Sequence, residues 1–155
     1  MNIGSGLISS VLFESGRPIL IVPPGREAFA AHRMLVAWDG SAQAARAVGN
    51  GLPFLKGAEM VEIVCVLGEK DLSRSVPGAE LAPYLVRHGV NVQVNNRPVL
   101  ASGDVAATLT DQVGISRADM IVMGGFAHSR WREWVFGGVT QSLLRSSPVP
   151  LLMSH

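Results

Sequence analysis

The residues of this chain best suited to chemistry lie between Asp119 and Met153. Asp119-Met-Ile-Val-Met-Gly-Gly125 leads into a loop containing His128 and Trp134, then Phe136-Gly137-Gly138-Val139-Thr140, and finally Val149-Pro-Leu-Leu-Met153. The apolar run 120–123 stops at Gly124-Gly125, as a buried parallel strand does where it meets a tight turn. The pair Gly137-Gly138 opens a short helical pattern over 139–144. Glycines let the backbone approach a ligand closely and aim several N–H groups at one point. A helix start behind them adds a positive dipole end, which suits phosphate. The chemistry indicated is a nucleotide- or phosphate-shaped site, or the relic of one.

The elements that must hold these residues read as strand alternating with helix. Residues 34–38 have strand character and end at Asp39, and Ser41 can N-cap a helix from Ala42 to about Leu55. Gly49, Gly51 and Pro53 predict an irregular end to that helix. A second strand spans 61–67, and 69–77 is a polar loop. Leu81, Leu85 and His88 share a helical face that Gly89 stops, with Pro83 in the first turn. Val90, Val92 and Val94 alternate with Asn91, Gln93 and Asn95, which predicts a third strand at a sheet edge. Ser102 or Asp104 caps a third helix carrying Val105, Leu109 and Val113. The fourth strand is 120–123, the fourth helix about 138–146, and the fifth strand 149–153. This alternation predicts an α/β fold with a parallel sheet.

The motif Gly124-x2-Ala127-x9-Gly137-Gly138 resembles the Gly-x2-Gly-x9-Gly-Ser/Thr phosphate loop of the universal stress protein family. Arg33-Met-Leu-Val-Ala-Trp-Asp-Gly-Ser41 resembles that family's first strand, and Arg46-Ala-Val-Gly-Asn-Gly-Leu-Pro-Phe-Leu55 its first helix. The resemblance runs from Arg33 to the end, about four fifths of the chain. Two positions depart from the motif: Ala127 replaces its second glycine, and Gly138 its Ser or Thr hydroxyl. The resemblance implies an open, mostly parallel five-stranded sheet in the order 3-2-1-4-5, helices on both faces, of the adenine nucleotide alpha hydrolase-like kind. Ligands of such sheets bind outside the carboxyl ends of the strands at the switch point, here between Asp39 and Gly124.

The same resemblance implies the contacts. Asp39 faces a nucleotide through ribose or through magnesium carried on the phosphates; its local alternative is a turn and helix cap. Ala37, Trp38 and Val66 fall where the family lines the base pocket, although Val66 reads equally well as core, and Trp38 either stacks on adenine or fills its space. Gly124, Gly125, Ala127, Gly137, Gly138 and Val139 form the phosphate loop. His128, Ser129 and Thr140 are the candidates to replace the missing hydroxyl. The implied ligand is ATP or AMP, with magnesium; none is obligatory.

Composition removes other classes. Length and an apolar content of 48% fit one globular domain. A net charge of +1 argues against nucleic acid, and Arg130, Arg132 and His128 make only a small basic cluster. No apolar run is long enough to span a bilayer, and the N-terminus lacks signal-peptide character, so a cytoplasmic protein is expected. The lone Cys65 reads as a buried small hydrophobe. Trp131 and Trp134 read as packing anchors or dimer contacts. His32, His88 and His155 lack metal-like spacing and read as structural or surface residues.

The first 24 residues resemble the domain's end rather than its beginning. At an offset of 132, Gly6 matches Gly138, Ser10 Ser142, Leu12 Leu144, Ser15 Ser147, Pro18 Pro150 and Leu20 Leu152. Residues 1–24 thus read as the last helix and strand of a preceding universal stress repeat, 25–32 as linker and 33–155 as the domain. The apolar strand from Pro18 to Val22 needs a sheet. In the family the last strands meet across a two-fold interface, which implies pairing with the strand from Val149 to Met153, in its own chain or in a homodimer.

Three functions follow. One is a stress-response module that binds an adenine nucleotide and signals as a dimer. Another is a universal stress domain that binds none and works by dimerisation or interaction. The third, an enzyme, is weakest: no nucleophile–base pair, paired carboxylates or loop lysine is present, and slow ATP hydrolysis is the most that Asp39 with a metal suggests.

Overall fold

The structure is a computed structural model that describes residues 3–68, 78–126 and 138–155. Its elements, in chain order, are α1 (Ile3–Glu14), β1 (Ile19–Ile21), β2 (Arg33–Ala37), α2 (Ala42–Gly57), β3 (Met60–Leu67), α3 (Leu81–Arg87), β4 (Val92–Pro98), α4 (Val105–Ser116), β5 (Met120–Gly124), α5 (Gly138–Ser146) and β6 (Leu151–Ser154). The sheet order is β1-β6-β5-β2-β3-β4. From β4 to β6 all pairings are parallel. The expected five-strand order is therefore present, and the sheet has six strands because β1 joins it, antiparallel to β6 in the same chain. The outer edge of β6 is thereby occupied, so a homodimer through 149–153 has only the far edge of β1 left to use.

The central strands are mostly apolar, with Glu62 of β3 the buried exception on the β3–β4 side, because both faces are covered. Met34, Val36, Ile63, Met120, Val122 and Leu152 pack with Ala47, Val48 and Leu55 of α2 and with Leu81 and Leu85 of α3. Leu35, Val64, Ile121, Met123, Leu151 and Met153 point the other way, onto Leu109 and Val113 of α4, Leu143 of α5 and Leu12 of α1. The period of two in each strand divides the core in this way.

Local signals set most boundaries. Ser41 Oγ accepts from Ala44 N at 3.1 Å and caps α2. Of the two candidate caps for α4, Asp104 is the one used, accepting from Ala107 N at 3.1 Å. Gly89 follows α3 at φ 78°, and Pro83 sits in that helix's first turn. In one respect the expectation fails: α2 continues through Gly49, Gly51 and Pro53 to Gly57. Packing outweighs propensity here, because Leu55 is fully buried and a Cβ on Gly51 would lie 3.2 Å from Leu152 Cδ2. Glycine at 51 lets the helix settle closely on β5 and β6.

β4 is the edge strand, as its alternation predicts. A polar network holds it, centred on the buried Glu62 of β3. The Glu62 carboxylate accepts from Asn95 Nδ2 at 2.9 Å, from Gln112 Nε2 at 3.0 Å and from Ser116 Oγ. Arg97 donates to Gln112 Oε1 at 2.8 Å and pairs with Asp111. A buried carboxylate is tolerable where donors surround it, and these donors tie β4 and α4 to the sheet. No helix among the described residues is long and apolar enough to cross a membrane.

Candidate functional site

The sheet order reverses between β2 and β5, and there the carboxyl ends of the two strands lie side by side, Ala37 opposite Met123. Asp39 follows β2. Its Oδ1 accepts from Ser41 N at 2.9 Å, so the carboxylate organises the turn that starts α2. Asp39 is exposed, and among the described residues no other donor to its carboxylate is recorded. Trp38 N donates to Val64 O at 2.9 Å, which carries the β2–β3 ladder one residue past the strand.

The three base-pocket candidates do not share a face. Ala37 and Val66 pack on the α4–α5 side, whereas Trp38 packs with the α2–α3 core. A ligand against Ala37 and Val66 therefore meets little of the Trp38 ring.

Both glycines that end β5 have packing neighbours. A Cβ on Gly124 would lie 2.6 Å from Ala44 N and 2.8 Å from the Gln43 carbonyl carbon. The first turn of α2 thus rests on the end of β5, and only glycine permits it. A Cβ on Gly125 would lie 2.4 Å from Leu12 Cδ2 and 2.9 Å from Met153 Cε. The turn continues through Phe126 at φ 52°. Phe126 N donates to the Thr140 hydroxyl oxygen at 3.0 Å, and Thr140 is buried. Thr140 therefore ties the strand's exit to α5. Gly138 opens α5 with no neighbour among the described residues where its Cβ would be, and Val139 beside it is half-buried. Ala127, His128, Ser129, Trp131, Trp134 and Gly137 lie outside the described residues, as does the expected loop 69–77.

A ring cluster at this turn was not legible in the sequence. Phe13 of α1 lies 5.4 Å from the Phe126 ring and 4.4 Å, edge-on, from His155. His155 Nδ1 donates to Gly125 O at 3.0 Å. The residues come from three distant parts of the chain, and the repeat offset, which makes α1 the counterpart of α5, was the one signal bearing on them.

Cys65, in the middle of β3, is buried as expected. Burial pushes its thiol from 9.0 up to about 11, and the nearby carboxylates of Asp39 and Glu80 push in the same direction. Below pH 9 the thiol is protonated in folded and unfolded chains alike. Between 9 and about 11 only the unfolded chain ionises, so stability falls across that window. Chemical denaturation at successive pH values should show this decline, and Cys65→Ala should flatten it; an unchanged slope in that variant would assign the decline to other groups.

Two clefts among the described residues lie away from the switch point. One, of about 540 Å³, runs between Asp104, Ala107 and Thr110 of the α4 region and Ser142 and Ser146 of α5. The other, about 110 Å³, is lined by Ile21, Pro23, Leu144 and Val149. Among the described residues no group of three or more His, Cys, Asp or Glu is placed to hold a metal.

A family model described as the universal stress protein family matches residues 30–155. No curated protein sequence gives a significant match. Among solved structures, a universal stress protein from Archaeoglobus fulgidus superposes with a TM-score of 0.70 at 23% identity, over 93% of this chain and 51% of that one. This chain thus spans about half the length of that relative. A universal stress protein in complex with cAMP aligns over 80% of this chain and 97% of its own, at 22% identity and TM-score 0.55. A family protein from Arabidopsis thaliana with AMP bound covers 79% and 89%, at 14% identity and TM-score 0.58. At such identities these likenesses speak for the fold.

Proposed function

The chain belongs to the universal stress protein family, and from that premise we propose that it is a stress-response module binding an adenine nucleotide, ATP or AMP, at the carboxyl ends of β2 and β5. The observation that carries this reading is the switch point itself, where the carboxyl ends of β2 and β5 lie side by side. Asp39 follows one strand and Gly124 ends the other, and α5 begins at Gly138 with no neighbour among the described residues where its Cβ would be. Open sheets of this kind take ligands at such a point, and a helix start favours phosphate. Structural neighbours with AMP and cAMP bound support the ligand class. In this reading Ala37 and Val66 meet the base, Asp39 meets the ribose, and the backbone at Gly125, Gly138 and Val139 faces the phosphates. A magnesium ion at Asp39 would arrive with the nucleotide, since among the described residues no carboxylate or histidine cluster stands ready to hold it alone.

A second reading has its own observation. Gly124 and Gly125 are required by α2 and by Leu12, and the Thr140 oxygen already accepts a backbone N–H. Every described residue of the glycine framework except Gly138 and Val139 therefore has a reason to be present without a ligand. The alternative is a universal stress domain that works by association alone.

Protein denatured after purification should release an adenylate detectable by mass spectrometry. ATP with magnesium at a hundredfold excess over its Kd should raise stability by about 2.7 kcal/mol, and Asp39→Ala should weaken binding about tenfold. No released adenylate and no thermal shift at millimolar ATP would leave the association reading in place.

A further inference from the structure

The turn that ends β5 is held from three sides. Gly125 N donates to Ser154 O at 2.8 Å and Gly125 O accepts from His155 Nδ1 at 3.0 Å, so the end of β6 grips both polar groups of this residue. On α5, the Thr140 hydroxyl oxygen accepts from Phe126 N. The third hold is α1. Leu12 occupies the space where a side chain on Gly125 would lie, and the Phe13 ring packs on those of Phe126 and His155. Phe126 needs these holds. At φ 52° it is left-handed, a conformation that is costly for any residue with a Cβ and persists where the surroundings impose it.

The three holds are not equally firm. Ser154 and Thr140 are buried within the domain. α1 is anchored differently. Of its side chains from 6 to 14, Leu12 alone is buried; Ile8 and Ser9 are half-buried and the others exposed. Beyond Glu14 the chain passes through Gly16, at φ 61°, to β1, a strand of three residues at the sheet edge. The one buried side chain of the helix therefore lies on the turn. Elements with little buried apolar surface open locally before the whole chain unfolds. When α1 lifts, the space over Gly125 empties and the Phe126 ring loses the Phe13 ring.

We infer that α1 positions the nucleotide site and is the part of the chain that reports its occupancy. Leu12 and Phe13 are positioning residues. While α1 is seated they fix the Gly125–Phe126 turn beside the proposed phosphate contacts, and when α1 lifts the turn relaxes. ATP with magnesium binds the seated form more tightly, and bound nucleotide holds α1 down by the same factor, since coupling between two sites is reciprocal. Occupancy at the strand ends is thereby transmitted to a helix on the surface. This inference rests on the nucleotide reading above and supplies its regulation.

The test compares ATP–magnesium titrations of the intact chain and of Phe13→Ala by calorimetry. Phe13 is 49% exposed, so the variant keeps Leu12 and the core. Its Kd should rise at least about fivefold, the lower end of typical coupling between sites. Hydrogen exchange of the unmodified chain supplies a readout that packing alone does not move, and it decides even where the variant fails to fold. Saturating ATP–magnesium should slow amides 7–14 of α1 at least about fivefold. Amides 85–89, at the end of α3, should keep their rates, since Leu85 packs on the opposite face of the sheet. Equal slowing of both segments would be stabilisation of the whole domain and overturns the inference. So does a Kd that a folded Phe13→Ala leaves unchanged. In both of these cases ATP has bound, and the nucleotide reading stands. An intact chain that binds no ATP at millimolar concentration overturns the inference and that reading together.

Discussion

Leu12→Ala is expected to destabilise the chain by about 3 kcal/mol, within the range for a fully buried leucine that leaves a cavity. Leu12 is 2% exposed and belongs to the core on the α4–α5 face, although it lies more than a hundred residues from the strands it packs on. It fills the space above Gly125 and shares a core cluster with Met153. Its neighbour Phe13 is half-exposed but completes the ring contacts with Phe126 and His155. Losing Leu12 therefore loosens α1 and the turn after β5 together. A Cβ on Gly125 would collide with the flexible end of Leu12, so Gly125→Ala should cost about 1–3 kcal/mol alone. In the Leu12→Ala background that cost should largely disappear, a coupling of about 1–2 kcal/mol. Midpoints of urea unfolding for the four proteins measure this directly. A loss below about 1 kcal/mol for Leu12→Ala would show that α1 is not docked on the domain.

Gly124→Ala is expected to cost about as much, near 3 kcal/mol at the upper end for overpacking, for a different reason. The atoms that a Cβ would meet are backbone, Ala44 N and the Gln43 carbonyl carbon at 2.6 and 2.8 Å. Backbone cannot rotate aside, so the first turn of α2 has to move. That turn is capped by Ser41 and preceded by Asp39, whose carboxylate holds the Ser41 N–H. The substitution should thus reduce stability and also displace Asp39 at the switch point. If Gly124 served a ligand alone, the unliganded variant would unfold at the wild-type denaturant concentration. Unfolding midpoints with and without ATP separate the two effects: packing predicts a loss in both conditions.

The two glycines show how far a sequence reading carries. The step from the apolar run 120–123 to Gly124-Gly125 marks a strand end and a tight turn, and both are present. The reason for glycine was not legible, because its neighbours are Ala44 and Leu12, far away in sequence. Similarly, the alternation around Val92 and Val94 identified an edge strand, but Glu62 and its donors went unnoticed. A carboxylate inside an apolar run carries no periodic signal until Asn95, Gln112 and Ser116 are brought to it. Pro53 misled in the opposite direction, since a local helix breaker is overridden when the helix is buried on both sides of it.

The sequence by itself determined what depends on neighbours along the chain. Strands and helices, their order, the caps at Ser41 and Asp104 and the left-handed Gly89 follow from periodicity and turn chemistry acting over a few residues. The family resemblance added the sheet order and with it the place of Asp39 beside Gly124. Tertiary structure alone decided that β1 would pair with β6 of its own chain and so close that edge, and that Trp38 would part company with Val66. Each of these is a choice among faces and edges that local patterns leave equivalent. It is settled by which surfaces bury most apolar area against residues tens of positions away.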